Sequence, residues 1–383
     1  MSPERCAELD VKFATIKQFK SAAMTCVLSL LNFKSPEDAT FRRPGNMNNQ
    51  QPKMNKPLLC CDWGTSSFRL RLINTFDYSI IAEQQSPDGV ADTFKTWQST
   101  GSVNRFEFYA SRLRSAISGL CQSSGSDLSD IPVIVSGMAS SSLGMQEVAY
   151  ASLPFALDGA SVSSAIFQNF NGTGNPLILV SGVKSENDVM RGEEAQLIGL
   201  FRLEETAFLN KDDSLLVFPG THSKHMRVEH GNITGFRTYM TGEIFNILSQ
   251  HSILKDSITI GSDFTDEANK TAFISGVEVS GSSSLLNTLF TTRTNQLFSR
   301  FSKEQNAFYL SGLLIGNELR QLCDGSYGQL IICSGKHLFE HYKLASQSLN
   351  LTENITFIQP GLIDKATIAG QVQVFRALNN DYE

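Results

Sequence analysis

At 383 residues, with 41% hydrophobic and 18% charged side chains, the chain is long enough for two domains around a large buried core. A net charge of −6 removes any general electrostatic case for binding nucleic acid or an anionic membrane surface. Its seven cysteines are scattered, odd in number and without metal-ligand spacing, which argues against a disulfide framework and for buried thiols in a reducing, cytoplasmic setting.

Residues 1–56 differ from the rest. They carry nine Lys/Arg against five Asp/Glu and end in the polar, turn-rich RRPGNMNNQQPKMNKP, which reads as a linker. Ala22 to Phe33 is apolar over twelve residues, too short to span a bilayer. Acids upstream of it and the lack of a small-x-small cleavage site weigh against a secretory signal. A weak amphipathic helix is expected over about 8–33, in an extension that is poorly ordered and dispensable, or that precedes a true start at Met47 or Met54, with an organelle-targeting segment as the functional alternative.

The body opens with LLCCDWGTSSFRLR at 58–71. An apolar run ends in Asp62, a Gly64-Thr65-Ser66-Ser67 turn follows, and the chain resumes with alternating apolar and basic residues through Arg69. That pattern predicts a strand, a hairpin turn and a second strand. Exposed N–H groups beside small hydroxyl side chains form a concave anion site, suited above all to phosphate. An acid at the strand end can hold Mg²⁺, directly or through water. Together these features suit a nucleotide-dependent phosphotransferase.

Further elements follow in order. A third strand is expected at 79–85 and a helix over 105–121, with Phe106, Tyr109, Leu113, Ile117 and Leu120 as its apolar stripe. IPVIVSGM (131–138) and PLILVSGV (176–183) read as buried strands, and a helix is expected from about Glu193 to Leu203. LLVFPGTHSK (215–224) then repeats the opening hairpin: an apolar run, Gly220-Thr221-His222-Ser223, and a base, Lys224. Two such hairpins suggest two similar half-molecules facing a cleft. Thr241 is expected to cap a helix running into EIFNILSQHSIL. Helices are expected over 263–276, 284–300 and 303–322, a strand at 329–335, a helix from about His337, a strand at 355–359 and a last helix at 364–379. This alternation fits two ribonuclease-H-like domains, residues 57–212 and 213–383.

Three further motifs carry chemistry. VMRGEEAQLIG (189–199) packs Arg191, Gly192, Glu193 and Glu194 into a turn that enters a helix. An arginine there can fork to a carboxylate or phosphate, and paired acids can position a sugar hydroxyl or take its proton. The plainer alternative is a solvated first helical turn, where glutamates favour the macrodipole. FRTYMTGE (236–243) gathers Arg237, Thr241 and Glu243 around a helix start, with cap and dipole complement as the plainer reading of Thr241 and the acid. SGKH (334–337) fails the P-loop pattern, because His337 stands where Ser or Thr should meet the metal; Gly335 is read instead as a turn beneath adenine or ribose. His222 and Lys224 are the better phosphate ligands, with Lys224 neutralising charge on the transferred group.

These motifs, with the SGM turn at 136–138 and YLSGLLIGNEL, resemble the 2-dehydro-3-deoxygalactonokinase family, in order from about residue 57 to the C-terminus. The resemblance implies an α/β fold of the actin, Hsp70 and hexokinase type, with two ribonuclease-H-like domains flanking a nucleotide cleft. It implies a phosphotransferase that uses ATP and Mg²⁺ to phosphorylate 2-dehydro-3-deoxy-D-galactonate at its 6-hydroxyl in galactonate catabolism. Asp62 becomes the metal ligand, the two Gly-Thr turns the phosphate cradle, and Arg191 with Thr241 the sugar-acid contacts. One departure matters: many kinases of this superfamily carry an acid in the second phosphate strand, where this chain has Phe218. The base must come from Glu193, Glu194 or Glu243. A kinase of another sugar acid or polyol, and a non-catalytic nucleotide sensor on the same fold, are the rival readings. The expected partners are a small sugar acid and ATP, with no nucleic acid and no membrane, and a homo-oligomer is left open.

Overall fold

In a computed structural model that describes residues 56–101, 104–170, 174–323, 325–351 and 353–379, both Gly-Thr turns close β-hairpins. The helix expected over 8–33 lies outside the described residues. Strands β1 (Pro57–Trp63) and β2 (Phe68–Asn74) pair antiparallel, and β2 pairs with β3 (Ile80–Ser86). The chain then crosses back to β4 (Val133–Gly137), parallel to β1. Short strands β5 (Ala151–Ser152), β6 (Phe155–Ala156) and β7 (Ser164–Phe167) precede β8 (Leu177–Val180), which is parallel to β4. The first sheet has the order β3-β2-β1-β4-β8-β7.

The second half repeats the plan. After β9 (Val183–Lys184) and β10 (Val189–Met190), strands β11 (Asp213–Phe218), β12 (Ser223–Glu229) and β13 (Asn232–Tyr239) form an antiparallel triplet. Strands β14 (Gln329–Ile332) and β15 (Ile355–Phe357) add in parallel, giving the order β15-β14-β11-β12-β13-β6. Each sheet thus places its first three strands antiparallel and its next two parallel, in the order 3-2-1-4-5. That is a duplicated ribonuclease-H-like topology, the actin-like ATPase fold.

The helices explain why these strands read as continuous apolar runs: both faces of each sheet are covered. Helix α1 (Val90–Thr100) follows β3, and α2 (Arg105–Ser124) buries Tyr109, Leu113, Ile117 and Leu120 against the outer face of the first sheet, where Leu59 and Cys61 of β1 meet it. The alternate β1 residues, Leu58 and Cys60, face a central core shared with Leu216 and Phe218 of β11. Helices α3 (Glu193–Leu200) and α10 (Pro360–Leu378) contribute Leu197, Ile198, Val372 and Phe375 to that core. Gln371 on α10 donates to the Cys61 carbonyl and to Ser136 Oγ, so the final helix of the chain is bonded to the first sheet.

The outer face of the second sheet is covered by α5 (Glu267–Val279), α8 (Lys303–Arg320) and α9 (Lys336–Ser348), with α4 (Thr241–His251) beside them. The single helix expected over 284–300 is two short ones, α6 (Leu285–Leu289) and α7 (Thr291–Leu297). Thr288, Thr291 and Thr294 each turn their hydroxyls back onto carbonyls three residues earlier, which competes with a straight helical ladder. Among the described residues no helix is long and apolar enough to cross a membrane.

One construction recurs at both hairpins. Gly64 N–H bonds the Ser67 carbonyl at 2.9 Å, closing the first turn. Val90 and Ala91, opening α1, then donate to the Gly64 and Thr65 carbonyls. In the second half Glu243, near the start of α4, donates to the Thr221 carbonyl at 3.0 Å. A side chain on Gly89 would sit 2.2 Å from Thr65 O, and one on Gly242 2.7 Å from Gly220 O. Glycine is therefore required where each helix start is pressed against its hairpin turn.

Candidate active site

The two turns open onto one cavity of about 900 Å³ between the sheets. Its lining brings together most of the expected residues: Gly64, Thr65 and Arg69 from the first hairpin, Gly220, Thr221, His222 and Lys224 from the second, Arg191 and Glu193 from the turn into α3, and Gly335 before α9. Ser66 and Ser67 stay in the turn without lining the cavity. A second cavity of about 530 Å³ adjoins the first through Gly220, Thr221 and His337. It is walled by Phe245, Ile260, Phe308, Leu314, Leu338 and Tyr342, with Thr241 and Asn246 among its polar groups.

The two hairpins differ at one register position. In the first, Asp62 faces Arg69 across the ladder; in the second, Phe218 faces Lys224. Lys224 is 5% exposed and lacks a cross-strand acid. Its ammonium lies 3.9 Å from Glu193 Oε1 of the other half, an ion pair without a hydrogen bond. Glu193 Oε2 accepts the Arg191 backbone N–H at 3.1 Å. Burial raises the Glu193 carboxyl above its ordinary value, and the Asp62 charge adds to this; Lys224 opposes it.

Glu194 behaves differently from its neighbour. It is 1% exposed, does not line the cavity, and spends both carboxylate oxygens on the Gly192 N–H at 3.0 and 2.8 Å. Burial, then the Glu193 charge, push its pKa up to about 8. In this position it fastens the turn that presents Glu193. Glu243 stands beside the second turn. It meets the His222 imidazole in a short contact on the partly exposed side of the turn and lines neither cavity.

Thr241 is the first residue of α4 rather than its cap, and makes no capping bond. Its hydroxyl instead donates to Glu318, a residue of α8 that local sequence reasoning passes over. The only sequence signal for Glu318 is an acid four residues beyond Leu314 on an otherwise apolar helical stripe.

Arg191 lies over the Tyr150 ring, its guanidinium carbon 3.9 Å from the ring centroid. It donates to Ser140 Oγ at 2.6 Å, Ser181 Oγ at 3.1 Å and the Val148 carbonyl at 3.2 Å. Much of its hydrogen-bonding capacity thus ties three loops of the first half into one wall of the cavity.

Asp62 is half-buried at the end of β1, and its carboxylate makes no hydrogen bond among the described residues. Burial raises its carboxyl above the ordinary value; Arg69 and Arg71 pull it down. Among the described residues no group of three or more His, Cys, Asp or Glu forms a metal cage. One unbonded carboxylate near a phosphate turn still fits Mg²⁺, which keeps several waters and takes one or two carboxylates plus phosphates.

Comparison with known proteins gives the family. A Rhizobium meliloti (strain 1021) protein named probable 2-dehydro-3-deoxygalactonokinase is 30% identical over 300 residues, covering 76% of this chain and 89% of that one. An Escherichia coli (strain K12) 2-dehydro-3-deoxygalactonokinase is 32% identical over 226 residues, 57% of this chain and 71% of the other. A crystal structure of a Sinorhizobium meliloti protein assigned to the same kinase superposes with a TM-score of 0.67 at 27% identity, over 84% of this chain and 99% of that one. The family model for 2-keto-3-deoxy-galactonokinase matches residues 62–374, a span that takes in both hairpin turns, the Arg191–Glu194 turn and most of α10, and the chain belongs to that family.

Proposed function

We propose that the chain is a 2-dehydro-3-deoxygalactonokinase that transfers the γ-phosphoryl group of ATP to the 6-hydroxyl of 2-dehydro-3-deoxy-D-galactonate, in the galactonate catabolism of the cytoplasm. The observation that carries this reading is the Glu193–Lys224 pair, an acid from one half and a base from the other, on one cavity with both phosphate-type turns. The two halves, divided near residue 212, are the lobes that close on the substrates, with β6 of the first paired into the second sheet and α10 of the second bonded to the first.

The nucleoside of ATP lies in the apolar second cavity, and its phosphates reach past Gly220 and Thr221 into the first, where Gly335 lies on the lining. The Thr65 N–H and the Gly220–His222 turn offer donors to phosphate oxygens, the Gly64 N–H being spent on the Ser67 carbonyl. The sugar acid lies along the Tyr150–Arg191 wall, where the arginine supplies positive charge to its carboxylate. Glu193 takes the proton of the 6-hydroxyl as its oxygen bonds to the γ-phosphorus; the bond to the bridging oxygen breaks and ADP leaves. Lys224 offsets charge on the transferring group. Asp62 would hold Mg²⁺, which when bound neutralises phosphate charge. Positioning and electrostatics supply most of the catalysis, because the transition state is loose.

ATP consumption, measured against a panel of 2-keto-3-deoxy sugar acids with product analysis, tests the proposal. The expected result is ADP and a 6-phosphorylated acid, with the galactonate-derived substrate preferred. Phosphorylation of another sugar acid or a polyol in its place would transfer the reading to that substrate. ATP binding with no transfer to any acceptor would point to a sensor.

A further inference from the structure

Under the second phosphate turn lies a carboxylate that the reaction scheme leaves unused. Glu318 on α8 is 2% exposed and accepts three hydrogen bonds, from His225 Nε2 at 2.9 Å, from the Tyr342 hydroxyl at 2.8 Å and from the Thr241 hydroxyl. The Tyr342 hydroxyl also lies 3.2 Å from Ser223 Oγ, the residue that follows the turn. His225 is fixed in turn by its ring contact with Tyr239, at 4.3 Å between centroids. One buried acid therefore gathers α8, α9, the start of α4 and strand β12.

The network reaches the cavities at two places. Thr241 and Tyr342 line the second cavity. Ser223 sits beside the turn whose Gly220 and Thr221 rest against Gly242. Burial, and then the Glu318 charge, drive the Tyr342 phenol well above its ordinary pKa, so it remains a donor. An acid this deeply buried is a poor choice for stability alone, since apolar residues of similar volume serve as well or better. What a fully satisfied polar network supplies is a single fixed arrangement of the elements it joins.

We propose that Glu318 is a positioning residue for the nucleotide: it sets the Pro219–His222 turn and the Thr241–Tyr342 wall in one mutual arrangement. The inference rests on the ATP reading of the two cavities. It concerns ATP rather than the acid: Thr241, which the resemblance puts among the sugar-acid contacts, lines the second cavity, and none of the Glu318 contacts reaches the Tyr150–Arg191 wall.

The test uses the full chain as Glu318→Gln and as Tyr342→Phe. Glutamine keeps the volume but turns an amide NH2 toward hydroxyls that now donate. Tyr342→Phe removes one donor and is the milder change should Glu318→Gln fail to fold. ATP dissociation constants from calorimetry are compared with KM for ATP, KM for the sugar acid and the melting temperature. The expected result is ATP affinity weakened roughly tenfold or more in the folded variant, KM for ATP raised in step, and KM for the acid unchanged. A lowered melting temperature with ATP affinity and both KM values intact would mean a structural role only and would overturn the proposal. ATP failing to bind the wild-type chain would sink the nucleotide reading, and this inference with it.

Discussion

Lys224 and Glu193, one from each half of the molecule, face each other at 3.9 Å across the cavity. The base stands at the register position of Arg69 in the first hairpin, but its cross-strand neighbour is Phe218 where Arg69 has Asp62. The missing acid is supplied from the other half. A pair at about 4 Å gains roughly 4 kcal/mol of gross attraction at an effective dielectric of about 20. For Glu193 that gain is outweighed, since burial still raises its carboxyl above the ordinary value.

Lys224→Met should therefore lower kcat by about 10²–10³-fold, as loss of one preorganised charge-stabilising donor does elsewhere. A second readout separates the two members of the pair. A base must be ionised, so the acid limb of kcat/KM should lie above the ordinary glutamate value of 4.5. Removing the lysine charge should move that limb to still higher pH, and Glu193→Gln should lose both limb and most activity. An acid limb that stays in place in Lys224→Met would detach Glu193 from the base role.

Much of this was legible in the chain because it is written locally. Alternation broken by Gly-Thr-x-Ser marks both hairpins, and the duplicated order of strands follows from them. Helix α1 was not legible: VADTFKTWQST is rich in threonine and short of apolar residues, and its start is fixed by bonds to the Gly64 and Thr65 carbonyls. The matching contact of Gly242 and Glu243 with the second turn was hidden for the same reason, being tertiary in both halves. Thr241 carried the signal of a cap and is bonded elsewhere, because Glu318 lies 77 residues away in sequence and only the fold brings it close. The placing of α10 on the first sheet is likewise a long-range fact, fixed by Gln371 on Cys61 and Ser136.

Glu194 predicts a pH-dependent stability. Its folded pKa is about 8, raised from an ordinary 4.5, so the folded state holds this proton more tightly than the unfolded chain. The resulting stabilisation is fully present below pH 4.5 and is lost as pH rises through about 8. Urea unfolding from pH 5 to 9 should show the wild type losing stability relative to Glu194→Gln across that window. Parallel profiles for the two proteins would place Glu194 outside the linkage.

Asp62→Asn should abolish turnover and leave the fold intact. The carboxylate is half-buried, makes no hydrogen bond among the described residues, and is raised by burial, so removing its charge costs the fold nothing and should hold or raise the melting temperature. Turnover should fall because the proposed Mg²⁺ ligand is gone, and chelation of divalent ions should silence the wild type in the same way. Near-normal kinetics in Asp62→Asn at ordinary Mg²⁺ would remove the metal role from this residue.

Arg191→Lys tests the sugar-acid wall. The guanidinium lies on Tyr150 and bonds Ser140, Ser181 and the Val148 carbonyl, so it both shapes the wall and charges it. Lysine keeps the charge but has no planar face for the ring and no fork to span three acceptors. Hydrogen bonds to a charged group are worth roughly 1.5–3 kcal/mol each, so losing one or two should raise KM for the acid about tenfold or more. KM for ATP should change little, because the wall belongs to the first half and the proposed nucleoside cavity to the second. Steady-state kinetics with each substrate varied in turn gives both values. A rise in KM for ATP alone would put Arg191 on the nucleotide side. A lowered melting temperature with both KM values unchanged would mean that it braces the three loops without meeting either substrate.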